Sequence, residues 1–491
     1  MPLPEHVRGY LIRLLERDAA ERAQTTAELD ALAQAAEERQ TRPLPEALRG
    51  WLNNATGQMR WKRARPVAAK ELADHLTDQY EAFLDEGMDE DAAAEATARE
   101  MGDAVETGTL LDRAWRPRPD WVMLGIVLLV AAVGKVVQYL LGMNPANEVP
   151  ILATTQVGIY LYGVVFLFAG YFLDYTIFGR HCKLLFTLWC VVGLLMLFGP
   201  LQRIQSGANI SLRRWVWFFP VLFAGILYGQ RGKGTAGIRN CLLYMLGMWF
   251  FTMFAPSTAA LCVLTVVCCG MLFAAVWRGV FGKRTKGRLV LSLLPVLMIA
   301  AYAACMLCFS DLAREQMALF FNPLLDPNGE GFTGSVMRFI MFGSVTDLGD
   351  WDVVVSPVTD FCMNGLGGTA DYILASAKYS WGWTGFLILL GLEVLFLVWG
   401  FRLARRQTGL LARSVCMGVM LTFALQTALY VLQNFGFMLL SAYGLPLLSY
   451  GANYLLQTMF LLGVLLSAQR TGQLESGLAP APALERKREP S

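Results

Sequence analysis

Three ionisable residues lie inside or at the edge of long apolar segments, where a charge is costly and marks a candidate functional site. Asp371 directly precedes one such segment. Lys378 lies seven residues after Asp371, which is about two turns of helix. Both side chains could face one cavity, where a carboxylate accepts a proton from a nucleophile and an ammonium offsets negative charge. Lys135, inside another apolar segment, is the second candidate ion-pair partner for Asp371.

Each of these residues also has a purely structural interpretation. An Asp in front of an apolar helix can act as an N-cap, because its carboxylate accepts hydrogen bonds from the free N–H groups of the first turn. Lys378 and Lys135 could instead extend along apolar surface until their ammonium groups reach the lipid headgroups. The residue types alone leave both interpretations open.

The composition indicates which class of protein must position these residues. The 491 residues are 55% hydrophobic and only 16% charged, whereas a typical soluble domain is about 25% charged. Residues 1–120 contain 16 basic and 24 acidic side chains, and the rest of the chain contains 25 basic and 15 acidic ones. The sequence therefore predicts an all-α polytopic membrane protein behind a soluble, acidic helical region.

Ten apolar segments are long enough, or nearly so, to cross a bilayer core of about 30 Å. Alternate loops between them are rich in Lys and Arg, so the positive-inside rule predicts that both termini are cytoplasmic. The first residues are polar, which argues against a signal peptide. The ten predicted spans are 121–142, 153–176, 184–200, 215–229, 237–254, 257–278, 289–309, 372–401, 414–438 and 449–467.

These patterns divide the chain into a cytoplasmic helical region, a second helical unit, a transmembrane domain and a basic, disordered tail. Residues 69–78 and 100–103 of the second unit resemble the permease prefix domain that precedes some bacterial multi-pass proteins. Such a unit could pack only on itself or dock a cytoplasmic partner. In order, the four regions are 1–57, 58–118, 119–469 and 470–491.

A loop of about sixty residues, roughly 310–370, joins the seventh and eighth predicted spans on the outer side. Loops longer than about 12–15 residues are usually functional or disordered. Aromatic residues are interspersed among its acidic ones, which predicts a folded cap over the membrane. We expect function to be located there.

Other kinds of site have little support in the sequence. The three His and the scattered Cys show no metal-ligand spacing, so no zinc or haem site is expected. The chain also lacks a Gly-rich nucleotide loop, which argues against an ATP-driven pump. No cofactor is identified, a divalent cation is left open, and nucleic acid is not expected as a partner.

Two motifs carry a resemblance to a known family. Asp371 lies in the segment 369–375, Thr-Ala-Asp-Tyr-Ile-Leu-Ala, with Gly382 and Gly385 at 11 and 14 residues behind it. The segment 445–451 reads Leu-Pro-Leu-Leu-Ser-Tyr-Gly. Together they resemble the eighth and tenth spans of the SEDS family (FtsW, RodA and SpoVE).

The resemblance implies a peptidoglycan glycosyltransferase of the bacterial inner membrane, which polymerises glycan strands from lipid II in division, elongation or sporulation. It also implies a single-pass penicillin-binding transpeptidase as partner. The family's acidic residue corresponds to Asp371, the candidate catalytic carboxylate, because the glycine spacing does not fit Asp360. The corresponding substrate cavity comprises Arg214, Trp215, Pro220, Asn434, Pro446, Ser449, Tyr450 and Gly451.

Departures from the family pattern leave it open whether the chain is an enzyme. The family's Gln-Pro-Ser-Glu-x-x-Lys in the fourth span is Phe-Pro-Val-Leu-Phe-Ala-Gly at 219–225, and its two later Glu residues are Tyr379 and Ser380 here. One alternative is a catalytically degenerate relative that binds lipid II or a transpeptidase and regulates wall synthesis. A second is a flippase for lipid-linked precursors, which would need further charges along a path through the spans.

Overall fold

A computed structural model describes residues 44–117, 119–142, 151–205, 208–255, 257–327, 329–343, 372–438, 440, 444–449 and 451–472. Residues 1–43 of the predicted cytoplasmic helical region, the second part of the outer loop and most of the C-terminal tail lie outside this part of the chain. The chain divides into two compact units, with the division between Arg116 and Pro117.

In its described residues, 44–116, the first unit contains four helices around one small core. Buried side chains of α2 recur at helical spacing, at Leu72, Leu76 and Tyr80. Leu76 and Tyr80 share a core cluster with two alanines of α3. Because α1 packs against α4, the predicted boundary at residue 57 falls between two helices of one core. The helices are α1 (Glu46–Gly57), α2 (Arg65–Asp85), α3 (Glu90–Glu100) and α4 (Ala104–Trp115).

Asp112 fastens the loop that follows α1 to the end of α4. Its Oδ1 accepts a hydrogen bond of 2.8 Å from the backbone N–H of Arg60, and its Oδ2 accepts one of 2.8 Å from the guanidinium of Arg116. These hydrogen bonds lower the pKa of the Asp112 carboxyl below its usual value. The bond from the Arg60 N–H has the larger effect and the bond from the Arg116 guanidinium the smaller one.

Over its described residues, the regular structure of the second unit is helical apart from one short hairpin, in which β1 (Ile204–Gln205) pairs antiparallel with β2 (Ala208–Asn209). One-turn 3-10 helices lie at Val216–Phe218 and Pro323–Leu325. Its helices are α5 (Trp121–Gly142), α6 (Ile151–Phe172), α7 (Thr176–Arg180), α8 (Cys182–Phe198), α9 (Ile210–Trp215), α10 (Phe219–Gly229), α11 (Gly234–Phe254), α12 (Thr258–Trp277), α13 (Lys286–Phe309), α14 (Asp311–Phe321), α15 (Phe332–Phe342), α16 (Ile373–Arg406), α17 (Leu410–Asn434) and α18 (Ala452–Thr471).

The second unit has the long apolar helices of a multi-pass membrane protein. Six of its segments, within the residues described, are long and apolar enough to cross a bilayer. Shorter apolar helices cover Gly158–Phe172, Cys182–Phe198 and Phe332–Phe342. The six long segments are Trp121–Leu141, Ile210–Gly229, Thr258–Trp277, Lys286–Phe309, Ile373–Arg406 and Leu410–Asn434.

Small residues allow α6 and α18 to pack more extensively than any other described helix pair. A Cβ on Gly170 would lie 2.4 Å from the carbonyl oxygen of Phe460, and a Cβ on Gly463 would lie 2.2 Å from that of Leu167. Neither distance is sterically allowed. The glycines therefore bring the two backbones into contact, as small residues do in membrane helix pairs.

The predicted outer loop is folded over its described part. Helix α15 begins beside the 3-10 turn Pro323–Leu325. The two are so close that a Cβ on Gly334 would lie 2.9 Å from Cβ of Pro323. The guanidinium of Arg338 donates to the carbonyl of Phe321 at 2.8 Å and lies 5.0 Å from the ring centre of Phe437. These contacts join α14, α15 and the chain that follows α17.

Candidate functional site

Helix α16 consists of two parts that meet at Gly382. This residue has φ 66° and ψ −164°, a conformation open almost only to glycine, and it separates a short segment, 373–381, from the long apolar helix behind it. Gly385 completes the bend, because a Cβ there would lie 3.0 Å from the carbonyl oxygen of Ala377. The glycine spacing noted in the sequence thus corresponds to a kink.

The first turn of α16 is held by polar side chains of α17. The N–H of Ile373 donates to the Tyr430 hydroxyl at 2.9 Å, and the N–H of Ala375 donates to Oδ1 of Asn434 at 3.0 Å. The amide of Gln433 donates to the hydroxyl of Tyr372 at 3.0 Å. A polar cluster therefore fixes the backbone where α16 begins.

Asp371 itself lies outside the described residues, but its immediate successor does not. Tyr372 occupies the N-cap position of α16 and makes no capping hydrogen bond with its side chain. Because Tyr430 and Asn434 accept hydrogen bonds from two N–H groups of the first turn, those two groups do not need a carboxylate at 371 to satisfy them.

Lys378 contacts the outer helix α15. Its ammonium donates a hydrogen bond to the carbonyl oxygen of Ile340 and lies 5.8 Å from the ring centre of Trp383. Ile340 lies in the last turn of α15, where carbonyl groups lack helical partners and a cation is favoured. The interaction joins the short segment of α16 to the outer loop, and the pairing of Lys378 with Asp371 stays a prediction.

The segment 444–449 forms a buried turn between α17 and α18. The Ser449 hydroxyl accepts a hydrogen bond of 2.7 Å from the N–H of Leu445. Pro446 lies within this turn and Gly451 follows it, at the start of α18. Ser449 and Pro446 thus shape a backbone turn, and Tyr450 lies outside the described residues.

Helix α5 packs directly against this turn. The amide of Gln138 donates to the carbonyl of Leu448 at 2.5 Å, and a Cβ on Gly134 would lie 2.9 Å from the carbonyl oxygen of Leu447. Lys135 is half-buried on α5, one turn before Gln138. It therefore lies beside the turn made by the tenth-span motif.

Arg214, Trp215 and Pro220 belong to a different part of the fold. The indole N–H of Trp215 donates to the carbonyl of Trp189 at 3.1 Å, and Arg214 is half-buried at the end of α9. A Cβ on Gly418 would lie 3.4 Å from the carbonyl oxygen of Pro220. Gly418 precedes Asn434 by sixteen residues in α17, about 24 Å along the helix, so Pro220 and Asn434 do not line one cavity.

The apolar unit also matches a known sequence family. The profile of the FtsW, RodA and SpoVE cell cycle proteins matches residues 120–473, which is well over half of the chain. The chain belongs to this SEDS family.

Individual relatives of this SEDS protein are distant. It is 24% identical over 253 residues to FtsW of Trichlorobacter lovleyi, described as a probable peptidoglycan glycosyltransferase. That match covers 50% of this chain and spans only 60% of the relative's length.

Two solved structures are similar to it. One is a chain from a peptidoglycan synthase complex, with a TM-score of 0.56, 20% identity and coverage of 72% of this chain and 98% of that one. The other is the rod shape determining protein RodA of Thermus thermophilus, with a TM-score of 0.48, 20% identity and coverage of 72% and 97%. The first shares the fold of this SEDS protein.

The departure noted in the fourth span has a clear structural counterpart. All side chains from Phe219 to Tyr228 are buried, and every one of them is apolar apart from the tyrosine hydroxyl. Helix α10 packs against α7, α8, α12 and α17. In this SEDS protein the segment that carries Glu and Lys in the family pattern is therefore a central packing helix.

Sequence reasoning missed three polar residues. Tyr430 and Gln433 precede Asn434 on α17, and their helical spacing from that residue was the available signal. Glu393 is fully buried within α16. Its Oε1 accepts a hydrogen bond of 3.1 Å from the Thr427 hydroxyl, and its Oε2 has no hydrogen-bond partner among the described residues.

Possible metal ligands are scattered through the part of the chain that the structure describes. In that part of the chain, no three His, Cys, Asp or Glu side chains lie close enough together to hold a metal ion.

Proposed function

We propose that this SEDS protein polymerises glycan strands of peptidoglycan from lipid II, with Asp371 as the general base. The observation that carries the proposal is the polar cluster at the start of α16, where Tyr430 and Asn434 accept hydrogen bonds from the N–H groups of Ile373 and Ala375, two and four residues after Asp371. Preorganised backbone next to a reactive group is what catalysis by positioning requires. Family membership across residues 120–473 supplies the substrate class.

In the proposed reaction, a sugar hydroxyl of one strand attacks the anomeric carbon of another. The new C–O bond forms as the bond between that carbon and the lipid pyrophosphate breaks, and the pyrophosphate leaves with the electron pair. The Asp371 carboxylate takes the proton of the attacking hydroxyl. Lys378, or Lys135, offsets negative charge near Asp371 and takes the role of the Lys that the fourth span lacks.

The proposal includes a membrane arrangement and a partner. Ten spans with both termini in the cytoplasm would put the outer loop and Asp371 on the side where lipid II is polymerised. A similar chain occurs in a solved peptidoglycan synthase complex. This supports a single-pass penicillin-binding transpeptidase as the partner of the present protein.

Wall growth in a strain that depends on this chain tests the residue assignments. We expect Asp371→Ala to abolish function and Lys378→Gln or Lys135→Gln to reproduce that loss. Asp360→Ala is the matched control, since it removes a carboxylate from the same loop, and it is expected to retain function. Normal growth with both Lys variants would disprove the ion pair, and loss with Asp360→Ala alone would move the catalytic role to that residue.

A second candidate function is a regulator that binds lipid II or the transpeptidase without catalysis. The apolar, fully buried helix α10 favours it, because the charged equipment of the family's fourth span is replaced by packing residues. Retained binding of lipid II by a purified protein that forms no strands, alone or with the transpeptidase, would support this function over the first.

A further inference from the structure

A narrow groove runs between α12 and α17, and none of the residues assigned above lines it. One face of α12 and one face of α17 line it, and its volume is about 60 Å³. A cavity needs roughly 10–15 Å³ to hold a single water molecule, so the groove has room for a group of the size of a phosphate. Two arginines, Arg278 and Arg413, lie at the end of the groove where α12 ends and α17 begins.

The two arginines form a cationic site without an acidic counterpart. The hydroxyl-bearing residue Ser414 lines the groove beside them, and no acidic side chain lies among its described lining residues. Nε of Arg413 is buried and has no hydrogen-bond partner within the described chain. The pKa of the Arg278 guanidinium is lowered, mainly by its partial desolvation and to a smaller extent by the positive charge of the nearby Arg413. An anion placed between the two guanidiniums would relieve their repulsion and give Arg413 a partner.

The rest of the groove is apolar. Gly270 and Ala274 on α12 face Leu421 of α17, and a Cβ on Gly270 would meet only a methyl of Leu421, at 4.0 Å. Small side chains therefore leave a gap between the helices that leads from the arginines toward the middle of an apolar segment. This combination of a charged end and an apolar channel fits an amphiphile.

We propose that the groove binds an anionic phospholipid, with its phosphate between Arg278 and Arg413 and one acyl chain along Gly270 and Ala274. Loops rich in Lys and Arg adjoin this end of α12 and α17, so the positive-inside rule puts the site at the cytoplasmic leaflet. The inference does not depend on whether the protein polymerises glycan strands.

Native mass spectrometry of the purified full chain in detergent tests this site, with phosphatidylglycerol and phosphatidylcholine as probes. We expect phosphatidylglycerol to bind more tightly, and the double variant Arg278→Gln/Arg413→Gln to weaken its binding about ten-fold or more. Lys283→Gln/Lys286→Gln is the matched control, since it removes the same charge from exposed positions near α13, and it is expected to bind as the wild type does.

Two further variants keep the result interpretable. If the double variant does not fold, Arg278→Gln alone serves, because this side chain is exposed. Ala274→Leu fills the channel and is expected to weaken lipid binding while both arginines remain.

Three outcomes would overturn the proposal. Equal binding of the two lipids would exclude recognition of the headgroup charge. An equal loss in the lysine control would show that only the general surface charge matters. Competition by millimolar inorganic phosphate, with Ala274→Leu unchanged, would show a site for free phosphate instead of a lipid.

Discussion

Asn434 contributes to the site through its position, since it fixes the first turn of α16. The residue is fully buried, accepts a hydrogen bond from the N–H of Ala375 and donates one to the carbonyl of Tyr430 at 2.9 Å. Asn434 therefore couples the end of α17 to the backbone that follows Asp371. These two hydrogen bonds give a physical reason for an Asn at position 434, where the sequence resembles the family.

Asn434→Ala is expected to lower the free energy of unfolding by about 1–3 kcal/mol, because it leaves the buried N–H of Ala375 without this acceptor. Tyr430→Phe removes one acceptor and keeps the ring, so its effect should be smaller, about 1 kcal/mol. Thermal unfolding in detergent measures both. An Asn434→Ala protein as stable as the wild type would contradict the assigned capping role.

Glu393 allows a second test with single residues. Glu393→Gln keeps an oxygen acceptor for the Thr427 hydroxyl and removes an ionisable group from an apolar helix, so its melting temperature should equal or exceed that of the wild type. Thr427→Val removes the hydrogen bond and is expected to destabilise the protein by about 1 kcal/mol. The reverse order of melting temperatures would show that Glu393 has an ionic role that the described contacts do not include.

Among the elements, the kink in α16 is the feature that separates the short segment near Asp371 from the apolar helix. Gly382→Ala should cost about 1–2 kcal/mol, because its φ of 66° is unfavourable for a residue with a Cβ. Gly391→Ala is the matched control in the same helix, where a Cβ would meet nothing within 4 Å. It should be neutral or stabilising. Equal effects of the two substitutions on unfolding and on wall growth would contradict a structural role for the kink.

In the first unit, the hydrogen bonds of Asp112 predict a dependence on pH. Its folded pKa lies below the ordinary value of 3.8, so its contribution to stability is fully present above about pH 4 and is lost as the pH falls through the folded pKa. The protection factors of backbone amides in α1 and α4 of the full chain, each referred to the intrinsic exchange rate at that pH, should therefore fall below pH 4. Asp112→Asn should exchange faster than the wild type at pH 7 and lose this acid-dependent step, and an unchanged step would assign it to another group.

At the scale of the whole molecule, the sequence predicted what depends on local pattern. Hydropathy and length located the apolar helices, whereas the glycine spacing behind Asp371 was used only as a family resemblance and the kink at Gly382 was not predicted. The predicted span at 215–229 is interrupted, because α9 and a 3-10 turn precede α10. Pro220 favours this arrangement, since proline lacks a backbone N–H and is most favourable in the first turn of a helix.

Contacts between distant residues could not be predicted in the same way. Ala375 and Asn434 are 59 positions apart in the chain, and nothing in either segment specifies that they meet. The same holds for Arg278 and Arg413, which are 135 positions apart in the chain. Such pairs depend on how α12, α16 and α17 pack, which is a property of the whole apolar unit.

Polymerisation of glycan strands by this chain is tested most directly by the yield of strands from purified lipid II in liposomes. The comparison is between the wild-type protein and Asp371→Ala, each with and without the transpeptidase. We predict strands from the wild type and none from the variant. Strands from both proteins would contradict the role of Asp371, and strands from neither, with lipid II still bound, would contradict catalysis itself.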